Sequence, residues 1–235
     1  MELTNLYQQL LDAYGPQDWW PAQTPFEMAL GAVLTQNTAW TNVERAIANL
    51  RAADALTPAG LRRLAAGQLE ALIRPSGFFN QKTARIRALV AYLDNHWQGD
   101  LLRLLARPLA EARAALLDLQ GIGPETADAI LLYAGAHPTF VVDAYTRRLG
   151  ERLGLLDGGE SYEGIRHLFM ASLPEDAAMY NEFHALIVRH AKDHCRKTPL
   201  CGDCPLLRDC PTGIYLLRTA SPGRRFDPGL DRKGL

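Results

Sequence analysis

Four cysteines occur close together near the C-terminal end of the sequence, and the chain contains no others. They are separated by five, two and five residues: Cys195, Cys201, Cys204 and Cys210. Thiols this close in sequence can bind one metal centre, whereas structural disulfides would join distant parts of a fold. The pattern predicts a metal-thiolate site, with zinc and an iron-sulfur cluster as the alternatives. The single C-x2-C pair and the proline after the third cysteine favour iron and sulfide.

A glycine-flanked turn between two predicted helices is the second candidate site. Gly121, Ile122 and Gly123 follow an apolar helical pattern and precede Pro124, which is typical of a first helical turn. The two glycines permit a tight turn and a close approach of another backbone. Outward-pointing amides at the next helix start suit a phosphate, so the motif predicts contact with a nucleic-acid backbone. An ordinary turn between helices is the alternative interpretation.

Asp143 follows the short apolar run 139–142 and precedes a segment that we expect to be helical. This position predicts a helix N-cap, in which the carboxylate accepts hydrogen bonds from backbone amides. The same donors would keep the carboxylate ionised and oriented. A carboxylate that stabilises positive charge on a sugar ring needs both properties. Capping alone, and capping combined with catalysis, both remain open at this point.

Composition limits the number of domains, the cellular location and the kinds of partner. The chain has 235 residues, 48% of them apolar, which is enough for one or two packed domains. Residues 1–14 do not resemble a signal peptide, and no apolar run approaches the roughly eighteen residues of a membrane span. We therefore expect a cytosolic protein with no membrane partner. A net charge of −1 gives no overall attraction to nucleic acid, so such binding would depend on local basic clusters.

Helical periodicity dominates the sequence and predicts an all-α protein. Capping patterns predict helix starts at Thr24, Thr41 and Thr57, and Asn80 is the expected cap of a helix over 81–96. The longest late helix is expected over 176–194. From Gly213 onward, prolines and glycines among arginines predict an extended or mobile tail.

Taken in order, these motifs resemble the endonuclease III or helix-hairpin-helix superfamily of DNA glycosylases over residues 20–212. The matching segments are 34–38, 77–82, 119–126, 142–143 and the cysteine set that ends in Cys204, Pro205 and Leu206. The resemblance implies two helical domains with the active site in the cleft between them. It implies a six-helix domain over 25–132 with its hairpin at 116–130, a 4Fe-4S cluster domain formed by 1–24 and 133–212, and a basic tail over 213–235.

The resemblance also implies roles for individual residues. Asp143 would be the catalytic carboxylate, while Gln36 and Phe78 would fill or wedge the duplex where a nucleotide is flipped out. The hairpin would hold a phosphate, and basic residues beside the first cysteine would face other phosphates. The remaining implied DNA contacts are Gly121, Ile122, Gly123, Thr126, Arg196 and Lys197. The implied partner is double-stranded DNA with a damaged base, bound by a monomer in the cytoplasm near the nucleoid.

Two positions depart from the patterns of related enzymes. Bifunctional relatives have a lysine two residues past the second hairpin glycine, where this chain has Glu125, and a carboxylate cannot form a Schiff base. Glu125 could orient a water or merely complete the helix start. Adenine glycosylases have a catalytic glutamate where this chain has Ala32. The first departure predicts a monofunctional enzyme, and the second argues against an adenine glycosylase.

The form of the hairpin and the Trp-Trp-Pro segment at 19–21 resemble the 3-methyladenine branch of this class. A base methylated at N3 or N7 is cationic, and indole faces bind flat cations. We therefore expect Trp20 and Trp40 to form the two faces of a base pocket, with core packing as the alternative. The prediction is excision of an alkylated purine. The alternatives are an oxidised-pyrimidine glycosylase with weak lyase activity and a catalytically silent damage-binding module.

Overall fold

The structure is a computed structural model that describes residues 1–17, 19 and 22–219. All regular elements in these residues are helical, which confirms the all-α prediction. The chain divides into two compact units, residues 20–141 and residues 1–19 with 142–235. None of the described helices combines the length and apolar character needed to cross a bilayer.

The α-helices in the described part of the chain are numbered in chain order. They are α1 (Leu3–Tyr14), α2 (Pro25–Leu34), α3 (Trp40–Ala52), α4 (Pro58–Arg63), α5 (Ala66–Ile73), α6 (Phe79–Trp97), α7 (Leu101–Leu105), α8 (Leu109–Leu117), α9 (Pro124–Ala129), α10 (Ala144–Arg152), α11 (Tyr162–Ser172), α12 (Ala177–Asp193) and α13 (Pro211–Thr219). Short 3-10 helices occupy Arg74–Ser76 and Leu207–Asp209, and a π-helix at Ile130–Ala134 continues α9.

Helix α2 lies at the centre of the unit 20–141. Every residue from Phe26 to Leu34 is buried, and the helix packs against α3, α6, α9 and the π-helix. A helix that is apolar on all sides is stable only when surrounded in this way. It begins where the sequence predicts, because the Thr24 hydroxyl accepts a hydrogen bond from the Glu27 amide at 3.1 Å. Thr57 caps α4 in the same way, through the Gly60 amide at 3.0 Å.

Two predicted helix starts were wrong. Helix α3 begins at Trp40, so Thr41 lies inside the first turn instead of capping it. Helix α6 begins at Phe79, so Asn80 is its second residue. The chain enters α6 through two successive left-handed residues, Gly77 at φ 68° and Phe78 at φ 46°. A backbone turn of this kind starts the helix without any side-chain cap.

Helix α12 forms the core of the other unit. Its side chains Tyr180, Phe183 and Leu186 are fully buried, and it packs against α1 and α10. The rings of Tyr7 on α1 and Phe183 meet edge to face with centroids 5.4 Å apart. Asp176 caps α12, accepting from the Ala178 amide at 2.8 Å. The predicted helix over 176–194 is therefore confirmed.

Residues 133–141 and 213–219 differ from the expected domain outline. The segment 133–141 belongs to the unit 20–141, where Thr139 donates a hydrogen bond to Asp128 at 2.8 Å and the His137 ring contacts the Leu105 carbonyl at 2.7 Å. Gly213 lies within α13, so residues 213–219 are helical where the sequence predicts an extended or mobile tail. The remainder of that expected tail lies outside the described residues.

Candidate functional site

Asp143 caps α10 and uses its two carboxylate oxygens differently. Oδ1 accepts hydrogen bonds from the Tyr145 amide at 2.9 Å, the Thr146 amide at 2.8 Å and the Thr146 hydroxyl at 3.0 Å. Oδ2 lies 3.5 Å from Nε2 of His184 on α12. One oxygen is therefore fixed by three donors, while the other faces an imidazole. The predicted N-cap is confirmed.

The surroundings of Asp143 keep its carboxylate ionised. Burial raises the pKa of Asp143, but the neighbouring His184 and the hydrogen bonds from Thr146 together lower it further, so the pKa lies below its ordinary value. A buried carboxylate that stays charged at neutral pH can stabilise positive charge that develops nearby. His184 was not singled out by the sequence, because only the packing of α12 brings it to this carboxylate.

We expect His184→Gln to raise the pKa of Asp143, because it removes an attractive imidazole while burial persists. The Asp143 carboxylate stabilises the fold above its unfolded pKa of about 3.9. This contribution is lost as the pH falls through the lowered pKa of the folded state. In the variant the loss should be smaller and complete at a higher pH, with stability at neutral pH reduced by about 1 kcal/mol. Urea unfolding across acidic and neutral pH measures both effects.

The matched control is His167→Gln, which changes an exposed histidine on α11 in the same unit. It should leave the pH dependence of unfolding at its wild-type form. If the two variants instead gave the same acid transition, His184 would not be the group that sets the ionisation of Asp143.

The predicted hairpin lies between α8 and α9. Gly121 has φ 85°, a left-handed conformation that favours glycine, and the Ile122 amide closes the turn on the Leu119 carbonyl at 3.0 Å. Ile122 is buried, whereas Gly123 is exposed, with open space where a Cβ would lie. Glu125 is exposed in the first turn of α9. The hairpin therefore presents backbone and a carboxylate to solvent.

Gln36 joins the segment after α2 to this hairpin. Its Nε2 donates to the Thr126 hydroxyl at 2.8 Å and to the Gly121 carbonyl at 3.2 Å. Its Oε1 accepts from Nη1 of Arg85, whose side chain lies where a Cβ on Gly121 would be. Three of the predicted DNA contacts are thus brought together with Arg85. The sequence analysis did not identify Arg85, although it lies one helical turn beyond the recognised segment 77–82.

Phe78 projects from the turn before α6. It is a non-glycine residue with positive φ, and its side chain is 60% exposed. Behind it, the fully buried Lys82 donates to the Leu34 carbonyl at 2.8 Å and the Ser76 carbonyl at 2.6 Å. Burial and the nearby Arg85 lower the pKa of Lys82 to about 8. The turn therefore presents an exposed phenyl ring and is anchored by a buried lysine.

Trp40 lines an open cavity of about 220 Å³ in the unit 20–141. Its indole Nε1 donates to Glu44 at 2.9 Å. A second carboxylate of the lining, Glu27, is paired with Arg51 at 2.6 Å. The cavity lining therefore combines an indole, the carboxylate of Glu44 and the ion pair of Glu27 with Arg51. Trp20, the other predicted pocket residue, lies outside the described residues.

All four cysteines are free thiols that line one cavity, together with apolar side chains such as Leu149 and Leu206. Burial raises the pKa of Cys204 to about 11, and burial also raises the pKa values of Cys201 and Cys210. Thiols buried in this way become thiolates when a metal centre supplies the compensating positive charge. In the described part of the chain, no three Cys, His, Asp or Glu side chains form a compact site for a metal ion.

The sulfur atoms also receive hydrogen bonds. Nη1 of Arg152 lies 3.3 Å from Cys195 Sγ, and the Gly213 amide lies 3.3 Å from Cys210 Sγ. Donors of this kind orient and stabilise cluster thiolates. Four thiols around one cavity, with N–H donors to sulfur, fit an iron-sulfur cluster held by Cys195, Cys201, Cys204 and Cys210.

The two basic residues of the predicted DNA-contact loop are exposed. The backbone carbonyls of Arg196 and Lys197 accept from Arg152 at 2.7 and 3.0 Å, which fixes the loop while both side chains face solvent. Nε of Arg196 donates to the Lys192 carbonyl at 2.7 Å. The loop that follows the first cysteine is therefore held by side-chain hydrogen bonds to its backbone carbonyls.

The chain is similar in sequence to known DNA repair proteins. A candidate DNA repair glycosylase of Methanocaldococcus jannaschii is 44% identical over 206 residues, which cover 87% of this chain and 94% of that protein. Endonuclease III of Thermotoga maritima is 28% identical over 190 residues, covering 79% and 82% of the two chains.

Solved structures of DNA repair proteins are similar to this chain. The 3-methyladenine DNA glycosylase of H. pylori, bound to 1,N6-ethenoadenine, is 31% identical with a TM-score of 0.71, covering 82% of this chain and 98% of that chain. A non-covalent endonuclease III–DNA complex has a TM-score of 0.80 at 23% identity, covering 92% and 97%, and shares the fold. The model of one family matches residues 30–175, and this chain therefore belongs to the HhH-GPD superfamily of base excision DNA repair proteins.

Proposed function

We propose that this protein is a monofunctional DNA glycosylase that hydrolyses the N-glycosidic bond of an alkylated purine, such as 3-methyladenine, in double-stranded DNA. The observation that carries the proposal is the largely buried Asp143, whose carboxylate is kept ionised. Its Oδ1 is held by three donors, so the carboxylate has one orientation, with Oδ2 facing His184. Within a family of base excision repair proteins, a carboxylate prepared in this way suits a reaction that builds positive charge on a sugar.

The reaction breaks the bond between C1′ of the sugar and the base nitrogen, and forms a bond from C1′ to a water oxygen. An alkylated purine leaves with the bond electrons and needs little general-acid help, because it already carries positive charge. Asp143 would stabilise the oxocarbenium-like sugar, and a proton of the attacking water would pass to solvent or to a carboxylate. The base must first be flipped from the duplex, which the exposed Phe78 and the neighbouring Gln36 segment would support.

Glu125 supports the monofunctional part of the proposal. It occupies the position where bifunctional relatives have a Schiff-base lysine, and its carboxylate cannot form an imine. Lys82 is fully buried with its ammonium bonded to two carbonyls, so it is not available as a substitute nucleophile. Glu125 would orient the attacking water or stabilise the start of α9.

The cavity beside Trp40 supports the choice of a cationic base. An indole face attracts a flat cation by about 1 kcal/mol or more when water is excluded, and Glu44 adds a negative charge to the same wall. The similarity to the H. pylori 3-methyladenine DNA glycosylase, at 31% identity, points to the same class of substrate. We propose Trp20 as a second face of this pocket.

Duplex DNA is the proposed partner of a monomeric protein. The hairpin residues Gly121 to Gly123 with Thr126 would contact one phosphate through backbone amides, and Arg196 and Lys197 would contact others. A 4Fe-4S cluster bound by the four cysteines would cross-link the loop that carries Arg196 and Lys197 and so stabilise it.

The test is an excision assay on matched duplexes that carry 3-methyladenine, 7-methylguanine or thymine glycol, analysed before and after alkali. We expect release of the methylated purine with an intact abasic strand, and no borohydride-trapped adduct. Thymine glycol removal with nicking before alkali would instead establish the oxidised-pyrimidine alternative. Binding to an abasic-site analogue without release of any base would establish a silent damage-binding module.

Replacing Trp40 with leucine should weaken excision of cationic bases more than that of neutral ones. Loss of the indole face is expected to lower kcat/KM for 7-methylguanine about tenfold, with a smaller decrease for the neutral 1,N6-ethenoadenine. Trp97→Leu is the matched control, because Trp97 ends α6 and does not line the cavity. Equal decreases for both bases in Trp40→Leu would contradict recognition of positive charge by this tryptophan.

A further inference from the structure

Three segments of the unit 20–141 are tied together by one face of α6. They are the segment after α2 with Gln36, the turn with Phe78, and the hairpin 121–126. The connections are hydrogen bonds from Lys82 and Arg85, which lie three residues apart and therefore on the same side of the helix. All three segments contain residues that we propose as DNA contacts, so their relative positions matter for duplex binding.

Lys82 connects the first two segments. Its ammonium donates to the carbonyl of Leu34, where α2 ends, and to the carbonyl of Ser76, just before the Phe78 turn. The lysine is fully buried, so these two carbonyls depend on it for their hydrogen bonds. Removing the ammonium would leave both unsatisfied, and such a variant could fail to fold.

Arg85 connects the first and third segments. Its Nη1 donates to Gln36 Oε1, and its Nε, Cγ and Cδ fill the space beside Gly121 where any larger residue would carry its Cβ. Gln36 then donates both amide hydrogens to the hairpin, at Thr126 and the Gly121 carbonyl. The two side chains form a continuous chain of hydrogen bonds and contacts from α6 to the hairpin.

We propose that Arg85 is a positioning residue that acts through Gln36 to fix the hairpin for phosphate binding. The expected effect of Arg85 on DNA binding rests on the proposed function. Its effect on the hairpin of the free protein does not. In the free protein, Gln36 holds the hairpin instead of projecting as a plug. Entry of Gln36 into a duplex then requires exchange of its bonds to Arg85, Gly121 and Thr126.

A different role for Arg85 would be direct contact with a phosphate. The two roles differ in their dependence on salt, because each protein cation that neutralises a DNA phosphate contributes about 0.9 to the slope of log affinity against log salt. A residue that positions the hairpin changes affinity without changing this slope. The two roles also differ in whether the affinity losses of Arg85 and Gln36 variants add. Direct phosphate contact predicts additive losses, and positioning through Gln36 predicts non-additive ones.

The experiment compares Arg85→Met, Gln36→Ala and the double variant with wild-type protein. Amide hydrogen exchange in the free protein is read at Ile122 and Ala127, whose amides bond to Leu119 and Gly123 at 3.0 and 2.9 Å. We expect Arg85→Met to speed exchange at these amides about tenfold. Affinity for a duplex with an abasic-site analogue should fall about tenfold with an unchanged salt slope, and the double variant should be no weaker than either single variant.

Arg87→Met is the matched control, because Arg87 lies on the same helix but donates to the Leu64 carbonyl, away from the hairpin. It removes the same charge and should leave hairpin exchange unchanged. Unchanged hairpin exchange in a folded Arg85→Met protein would overturn the proposal. So would additive losses of affinity with a salt slope reduced by about one. If wild-type protein bound no duplex, the proposed function would fail while the exchange data still decided the role of Arg85.

Discussion

Replacing Asp143 with asparagine is expected to lower the single-turnover rate of base excision about a thousandfold. The reason is that the neutral amide removes the negative charge that would face the sugar, while it preserves the shape of the side chain. Asparagine is also a good N-cap, and its amide oxygen can accept the bonds that Oδ1 receives from Tyr145 and Thr146. The variant should therefore remain folded and retain its affinity for an abasic-site analogue.

The matched control is Asp176→Asn. Asp176 caps α12 with the same kind of geometry, accepting from the Ala178 and Met179 amides at 2.8 and 3.2 Å, but it is exposed to solvent. This control makes the same chemical change at a helix start and should leave the excision rate within about twofold of wild type. Comparable losses in both variants would mean that capping, and not charge, explains the effect at Asp143.

Replacing Cys201 with serine is expected to cause the second large effect, loss of the metal centre. The variant should lose its iron and its visible absorbance, and the melting temperature should fall by about 10 °C because several kcal/mol of metal-linked stability is removed. Iron and sulfide analysis, absorbance and calorimetry measure these changes without any assay of activity. The remaining thiols should stay reactive towards an alkylating reagent.

Arg208→Gln serves as the control for the cysteine variant, since it alters an exposed side chain in the same loop region. It should retain iron and melt at the wild-type temperature. A Cys201→Ser protein that kept both its iron and its melting temperature would show that this thiol is not a ligand. Metal analysis that found zinc in wild-type protein would establish the other alternative that the cysteine spacing leaves open.

The sequence predicts the features that depend on local chemistry. Thr24, Thr57 and Asp143 each cap a helix as predicted, because a side-chain oxygen close in sequence to unsatisfied amides can bond to them without help from the rest of the fold. The cysteine spacing likewise brings four thiols to one cavity. Helical periodicity of the apolar residues after Thr24 likewise predicts helix α2.

The features that the sequence did not predict depend on long-range packing. Asn80 has a good capping side chain, but the left-handed backbone of Gly77 and Phe78 decides where α6 begins. Arg85 and His184 carry no motif, and each acquires its partner only when separate helices meet. No local pattern could have indicated either contact, because their partners lie many residues away in sequence.

The division of the chain has a consequence for the order in which the protein is made. Helix α1 packs against α12, so the unit that holds Asp143 and the cysteines combines the first residues with a segment that begins at residue 142. The contiguous unit 20–141 can fold during synthesis, while α1 must wait for its partner helix to leave the ribosome. The unit that holds the Asp143 carboxylate can therefore fold only after the hairpin unit has been translated.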